Sequence, residues 1–146
     1  LNLAPARALN DASLGKLGAL AVNETEAEFL TGLPVTTDAE VQAAAGALLG
    51  KGPKIVIVTL GARGAWVAVE GHQGLVPGFE VDPVDTTAAG DVHCGALAVG
   101  LVEGQALLDA VAFANAAAAL SATKLGAQPS APSRGEIDAL VESRRG

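Results

Sequence analysis

The run KIVIVTL at residues 54–60 constrains the fold more than any other feature of this sequence. It is rich in β-branched residues and contains no turn residue, which is typical of a strand buried on both faces in a parallel sheet. A sheet of this kind needs helices packed on it, and half of the 146 residues are hydrophobic, which is enough to build such a core. The sequence therefore predicts one α/β domain.

The segment before this run predicts one short strand and two helices. Residues 20–22 are apolar and predict the strand, and residues 24–30 predict a first helix. Thr37 and Glu40 have the spacing of a capping box, so we expect a second helix that begins after Thr37 and continues through Leu49.

The segment after the run predicts an antiparallel meander at the edge of the sheet, followed by a helical region. The meander consists of a turn at residues 61–64, a strand at 65–69, a turn at 71–74 and a broken strand at 75–81. The predicted helices cover residues 90–102, 106–120 and 136–143.

Composition and charge exclude several classes of function. Nine Lys and Arg against sixteen Asp and Glu give a net charge of -7 with scattered positive residues, which argues against a nucleic-acid partner. The single Cys94 allows no internal disulfide and fits a reducing cytoplasm, and His72 and His93 lack a metal-ligand spacing. The longest apolar stretch, residues 94–102, is too short to span a bilayer. We therefore expect a cytoplasmic protein without a membrane partner.

The stretch DPVDTTAAGD at residues 82–91 carries the clearest chemical signal. Ala88, Ala89 and Gly90 are small enough for the backbone to approach a ligand closely, and they precede a predicted helix whose first amides are unpaired donors. This pattern predicts an anion-binding site. Asp91 would then be a carboxylate with a proton-handling role or with a metal ion nearby, or it would simply be the N-cap of the helix.

This stretch resembles the C-terminal signature of the ribokinase-like (PfkB) carbohydrate kinases, written D-T-T-A-A-G-D-x-x-x-G-A. Three further motifs follow the family's order: N-x-x-E at residues 23–26, T-L-G-x-x-G at 59–64 and G-A-x-P-S at 126–130. The resemblance implies a ribokinase-like α/β fold with a partial parallel sheet, antiparallel edge strands and flanking helices. It covers the whole chain but only the C-terminal half of such a kinase.

The resemblance also implies roles for individual residues. Asp91 would be the catalytic base beside an anion hole formed at Ala88, Ala89 and Gly90. Glu26 would organise Mg²⁺ through water, although Asn23 and Glu26 could also form a capping box. The nucleotide-binding residues would be Asn23, Thr59, Gly61 and Asn115. A K⁺ site would use Asp85 and the loop oxygens around Thr87, Ser121, Lys124, Gly126 and Ser130. Asp85 could instead cap a turn before Thr86.

The implied activity is ATP-dependent phosphoryl transfer to a sugar hydroxyl, with ribose as the first candidate acceptor and ribose 5-phosphate as the product. The alternatives are another sugar or nucleoside kinase of the family, or a truncated, catalytically silent nucleotide-binding module. Because the first residue is Leu1, we expect the chain to begin within the fold, without the N-terminal sugar-binding half and lid. Residues 1–146 alone should therefore be inactive, and the complete protein should be a homodimer. The family commonly has an aromatic residue and Asn where His93 and Cys94 stand.

Overall fold

The computed structural model describes residues 10–126 and 131–145. Its sheet has four strands in the order β1-β2-β3-β4. The strands are β1 (Ala19–Asn23), β2 (Ile55–Thr59), β3 (Gly64–Val69) and β4 (His72–Pro77).

The apolar run forms β2, a central strand whose three middle residues are fully buried. β2 pairs in parallel with β1 and antiparallel with β3. The predicted partial parallel sheet with an antiparallel edge is therefore confirmed. The predicted turn at residues 71–74 is wrong, because the turn consists of Glu70 and Gly71 and β4 already begins at His72.

Six α-helices accompany the sheet within the described residues. They are α1 (Asp11–Leu14), α2 (Glu24–Thr31), α3 (Asp38–Gly50), α4 (Ala89–Val102), α5 (Leu107–Ala122) and α6 (Arg134–Arg145). The sequence patterns predicted all of them except α1, which is only one turn long. The predicted turn at residues 61–64 contains a 3₁₀ turn at Gly61–Arg63. None of the helices described is long and apolar enough to cross a membrane.

The described residues form two compact units. The first comprises residues 10–60 and 65–75, and the second comprises residues 61–64, 76–126 and 131–145. In the first unit, α3 packs on β2, and its buried residues share one core with those of β1 and β2. Leu48 of α3, Leu20 of β1 and Val56 of β2 are among the fully buried residues of this core. The capping box predicted for α3 is present, with Thr37 as N-cap and Glu40 as its partner.

The core of the second unit forms where α4, α5 and α6 pack together. Phe79, Phe113 and Ile137 are its large buried residues. Ala and Gly bring α4 and α5 close together: a Cβ added to Gly100 of α4 would lie 3.1 Å from the Cβ of Ala110 on α5. Val92 and Ala96 of α4 also pack against this core, so the packing extends to the beginning of the helix, which carries the motif singled out by the sequence.

Candidate active site

The motif of small residues forms the beginning of α4. Ala88 is the N-cap and is buried, and no side chain caps this helix. Asp91 is the third residue of α4 and is exposed. The interpretation of Asp91 as the N-cap is therefore wrong, because the helix begins two residues earlier. The carboxylate instead lies on the first turn, where the helix dipole stabilises negative charge.

The amides of this first turn are partly unused. The Ala89 amide donates to the Thr86 carbonyl at 3.2 Å, and the Val92 amide donates to the Ala88 carbonyl at 3.0 Å. For the amides of Gly90 and Asp91, no acceptor is found within the described residues. These two amides at a helix N-terminus can thus donate hydrogen bonds to a bound anion. That an anion binds at Ala88, Ala89 and Gly90 stays a prediction.

The first unit brings together three of the residues predicted to bind nucleotide and metal. Asn23 is the N-cap of α2, and its Oδ1 accepts from the Glu26 amide at 2.8 Å. Glu26, only 4% exposed, accepts from the Asn23 amide at 2.9 Å. Thr59 is the register partner of Asn23 in the parallel β1–β2 pair. These residues lie where parallel strands end, and ligands of α/β sheets collect at such edges.

Asn23 and Glu26 also form the capping box that was left open as an alternative. Gly61 follows β2 in the 3₁₀ turn with a φ of 59°, in the left-handed region that favours glycine. It belongs to the second unit. Nucleotide binding by these residues stays a prediction.

A second cluster lies at Asp85, just before α4. One oxygen of Asp85 accepts hydrogen bonds from the amide of Thr87 at 2.9 Å and from the Thr87 hydroxyl. The other oxygen accepts from the Gly126 amide at 3.2 Å. The hydrogen bond from the Thr87 hydroxyl contributes most to holding the pKa of Asp85 below its usual value, and the Thr87 and Gly126 amides add to it. The turn-capping role of Asp85 is thus present, and it ties this loop to the segment after α5.

Comparison with known proteins places this arrangement in a family. The model of the pfkB family carbohydrate kinases matches residues 4–134. The chain belongs to the pfkB family. Ribokinase from Haemophilus influenzae is 43% identical over 142 residues, which are 97% of this chain and 46% of that protein. Deoxyribokinase from Salmonella typhi is 41% identical, over 91% of this chain and 44% of its own length.

Solved structures agree with the fold of this pfkB-family chain. Ribokinase from Thermotoga maritima superposes with a TM-score of 0.86 at 41% identity, over 97% of this chain and 48% of its own. Arabidopsis thaliana ribokinase, complexed with ribose and ATP, gives 0.85 at 34% identity, over 91% and 43%. An E. coli protein described as a putative ribokinase II, complexed with ATP and Mg²⁺, gives 0.78 at 28% identity, over 91% and 42%. The chain thus spans a little under half the length of these relatives.

The side chains of this pfkB-family chain can be compared with those that the predicted Mg²⁺ and K⁺ sites would need. Within the described residues, no group of three or more His, Cys, Asp or Glu could hold a metal ion. The described partners of the Asp85 carboxylate are the Thr87 hydroxyl and the amides of Thr87 and Gly126, and K⁺ binding at this cluster stays a prediction. Lys124 could contribute only its carbonyl, because its ammonium is positively charged and has no lone pair to offer a cation. The ammonium pairs with Glu136 at 3.2 Å. Ser121 is buried at the end of α5, and Ser130 lies outside the described residues.

One polar contact in the core of this pfkB-family chain was not predicted from the sequence. His93 of α4 and Asn115 of α5 are 3% and 4% exposed, and His93 Nε2 lies 3.0 Å from Asn115 Oδ1. The Asn115 amide nitrogen donates to the carbonyls of Val76 and Pro77 at 2.9 and 3.2 Å. Asn115 thus has a structural role, and its contact with a nucleotide stays a prediction. The spacing of His93, Leu97 and Gly100 could have placed His93 on the buried face of α4, but it could not have identified Asn115 as its partner.

Proposed function

We propose that this chain is the C-terminal, phosphoryl-transferring half of an ATP-dependent sugar kinase that converts ribose into ribose 5-phosphate. The observation that carries the proposal is the beginning of α4, where two amides without an acceptor in the described residues lie beside the exposed carboxylate of Asp91. Family membership and the ribose and ATP complex of the Arabidopsis relative support this interpretation.

The chemistry follows from the position of Asp91 on the first turn of α4. The carboxylate takes the proton of the acceptor hydroxyl while that oxygen attacks the γ-phosphorus of ATP. The bond between the γ-phosphorus and its bridging oxygen breaks, and ADP leaves. Negative charge on the transferred phosphoryl oxygens is stabilised by the amides of Gly90 and Asp91, aided by the small side chains of Ala88 and Ala89.

The remaining predicted residues hold the nucleotide and its ions. Mg²⁺, when bound, neutralises charge on the phosphates, and Glu26 would contact it through water. Asn23, Thr59, Gly61 and Asn115 would contact the nucleotide. A K⁺ ion held by Asp85, Thr87 and the neighbouring carbonyls would brace the loop that leads into α4.

Ribose is proposed as the acceptor because two ribokinases, at 43% and 41% identity, are among the similar proteins. The deoxyribokinase at 41% identity keeps a related sugar open as the alternative. A silent nucleotide-binding module is the alternative outside catalysis. We further propose a homodimeric cytoplasmic enzyme whose sugar-binding half and lid precede this chain, so that residues 1–146 alone are inactive.

The test is sugar-dependent release of ADP by the full-length protein, with Mg²⁺ and K⁺ present and with ribose, deoxyribose, fructose and a nucleoside as acceptors. The proposal expects the highest kcat/KM with ribose and phosphorylation at its 5-hydroxyl. A higher kcat/KM with another acceptor would replace ribose. If the protein binds ATP but releases no ADP with any of these acceptors, it is a catalytically silent nucleotide-binding module. The 146-residue chain, assayed in parallel, should show no turnover.

A further inference from the structure

We propose that the buried pair of His93 and Asn115 positions Asp91, so that His93 is a positioning residue of the phosphoryl-transfer step. This inference rests on the proposed function and adds a residue to its machinery. Asp91 lies on the exposed side of the first turn of α4, and His93 lies two residues later on the buried side. Because successive helix residues are about 100° apart, the two side chains point in nearly opposite directions.

The direction of the hydrogen bond follows from the partners of Asn115. Its amide nitrogen lies within hydrogen-bond distance of the Val76 and Pro77 carbonyls, which can only accept. Asn115 therefore presents Oδ1 to His93, and Oδ1 can only accept. His93 must donate from Nε2, so that Nδ1 is the unprotonated nitrogen when the ring is neutral. Nδ1 is buried and has no hydrogen-bond partner among the described residues.

The pair joins three elements at one point. His93 belongs to α4, Asn115 to α5, and Val76 and Pro77 to the end of β4. A fourth element joins them through Arg144 of α6, which donates to the Pro77 carbonyl at 3.0 Å. The beginning of α4 is thus attached to a fixed polar network rather than to apolar contacts alone.

This attachment sets the rotation of α4 about its own axis. The buried residues of α4 are His93, Leu97 and Gly100, and His93 is the one nearest to the N-terminus. Apolar contacts such as that of Leu97 have no directional preference, whereas a hydrogen bond weakens steeply when its angle changes. The rotation of the first turn, and with it the direction of the Asp91 carboxylate, therefore depends on the bond between His93 and Asn115.

The test compares three variants of the full-length protein at saturating sugar. His93→Phe keeps an aromatic ring but cannot donate a hydrogen bond. We expect its kcat to fall about tenfold and its KM for ATP to stay within about twofold of the parent value. A lower kcat at unchanged KM is the result expected when a lost interaction acts in the transition state. His93→Gln can still donate to Asn115 Oδ1, and we expect it to keep kcat within about twofold. Leu97→Ala is the control, because it weakens packing on the same face without touching the hydrogen bond, and its kcat should stay near that of the parent.

Melting temperatures, measured in parallel, ensure that each kcat is taken well below unfolding. A parental kcat for His93→Phe would overturn the inference, as would a higher KM for ATP at unchanged kcat or an equal loss in Leu97→Ala. If His93→Phe does not fold, the kcat of His93→Gln is the deciding measurement. A tenfold loss of that kcat would overturn the inference. Asp91→Asn separates the two proposals: if it is defective while His93→Phe is normal, only the positioning role fails. Normal Asp91→Asn kinetics, or a parent without turnover, would remove both proposals.

Discussion

Asp91 and Asp109 occupy the same position in two consecutive helices, since each is the third residue of its helix, α4 or α5. The N-cap is an alanine without a side-chain hydrogen bond in both helices, and both carboxylates are exposed. The helix dipole therefore acts on the two in the same way. They differ in what precedes them: small motif residues come before Asp91, whereas Asp109 follows Ala106, Leu107 and Leu108.

This symmetry provides a matched test of the catalytic base. We expect Asp91→Asn to lower kcat by about a hundredfold or more, in the range that general-base catalysis contributes, with little change in KM for ATP. Asp109→Asn removes the same charge from the same helix position, and its ion pair with Arg145 is exposed and weak. Its kcat should equal that of the parent. Steady-state kinetics of both variants check this, and equal effects would show that only the charge at a helix terminus matters.

The two capping boxes separate stability from nucleotide binding. Asn23 and Thr37 are both N-caps paired with a glutamate three residues later. Each change to alanine should lower the free energy of unfolding by about 1 kcal/mol, measured by urea denaturation. Only Asn23→Ala should also raise KM for ATP severalfold, because Asn23 lies beside Thr59 where β1 and β2 end. A similar rise in Thr37→Ala would assign the change to lost stability.

The Asp85 cluster predicts a response to monovalent cations. Asp85→Asn puts an amide where a carboxylate oxygen accepts from Gly126, so the cluster loses both a charge and a hydrogen bond. We expect the parent to have a higher kcat in K⁺ than in Na⁺ and the variant to lose that difference. Asp82→Asn, at an exposed position three residues earlier, is the control for charge. If the kcat of the parent is the same in K⁺ and in Na⁺, the result would count against a K⁺ site at this cluster.

His93 predicts a loss of stability at acid pH. Burial lowers the pKa of His93 in the folded state, and the hydrogen bond to Asn115 offsets this only in part. The unfolded chain binds the proton at the ordinary value near 6.5, so the free energy of unfolding should fall as the pH drops below that value. His93→Gln should flatten this dependence between about pH 7.5 and 5, measured by urea denaturation. His72→Gln, a change at an exposed histidine, should not flatten it.

The features that were predicted correctly depend on residues close together in the chain. The β2 strand follows from a run of β-branched residues, and both capping boxes join residues three positions apart. The beginning of α4 was placed within one residue, because small residues before an apolar helical pattern mark a helix start. That Asp91 is the third helical residue rather than the N-cap was not predictable, because Asp is favoured at both positions.

Local sequence patterns were enough to predict the order of helices and strands, the helix caps and the candidate chemistry at residues 85–91. Each of these features arises within one turn or one strand. The contacts of Asp85 with Gly126 and of His93 with Asn115 join residues 41 and 22 positions apart. Neither has a periodicity or spacing of its own, because packing of separate elements creates them. Folding therefore turned an isolated histidine and a turn-capping aspartate into parts of the framework around α4.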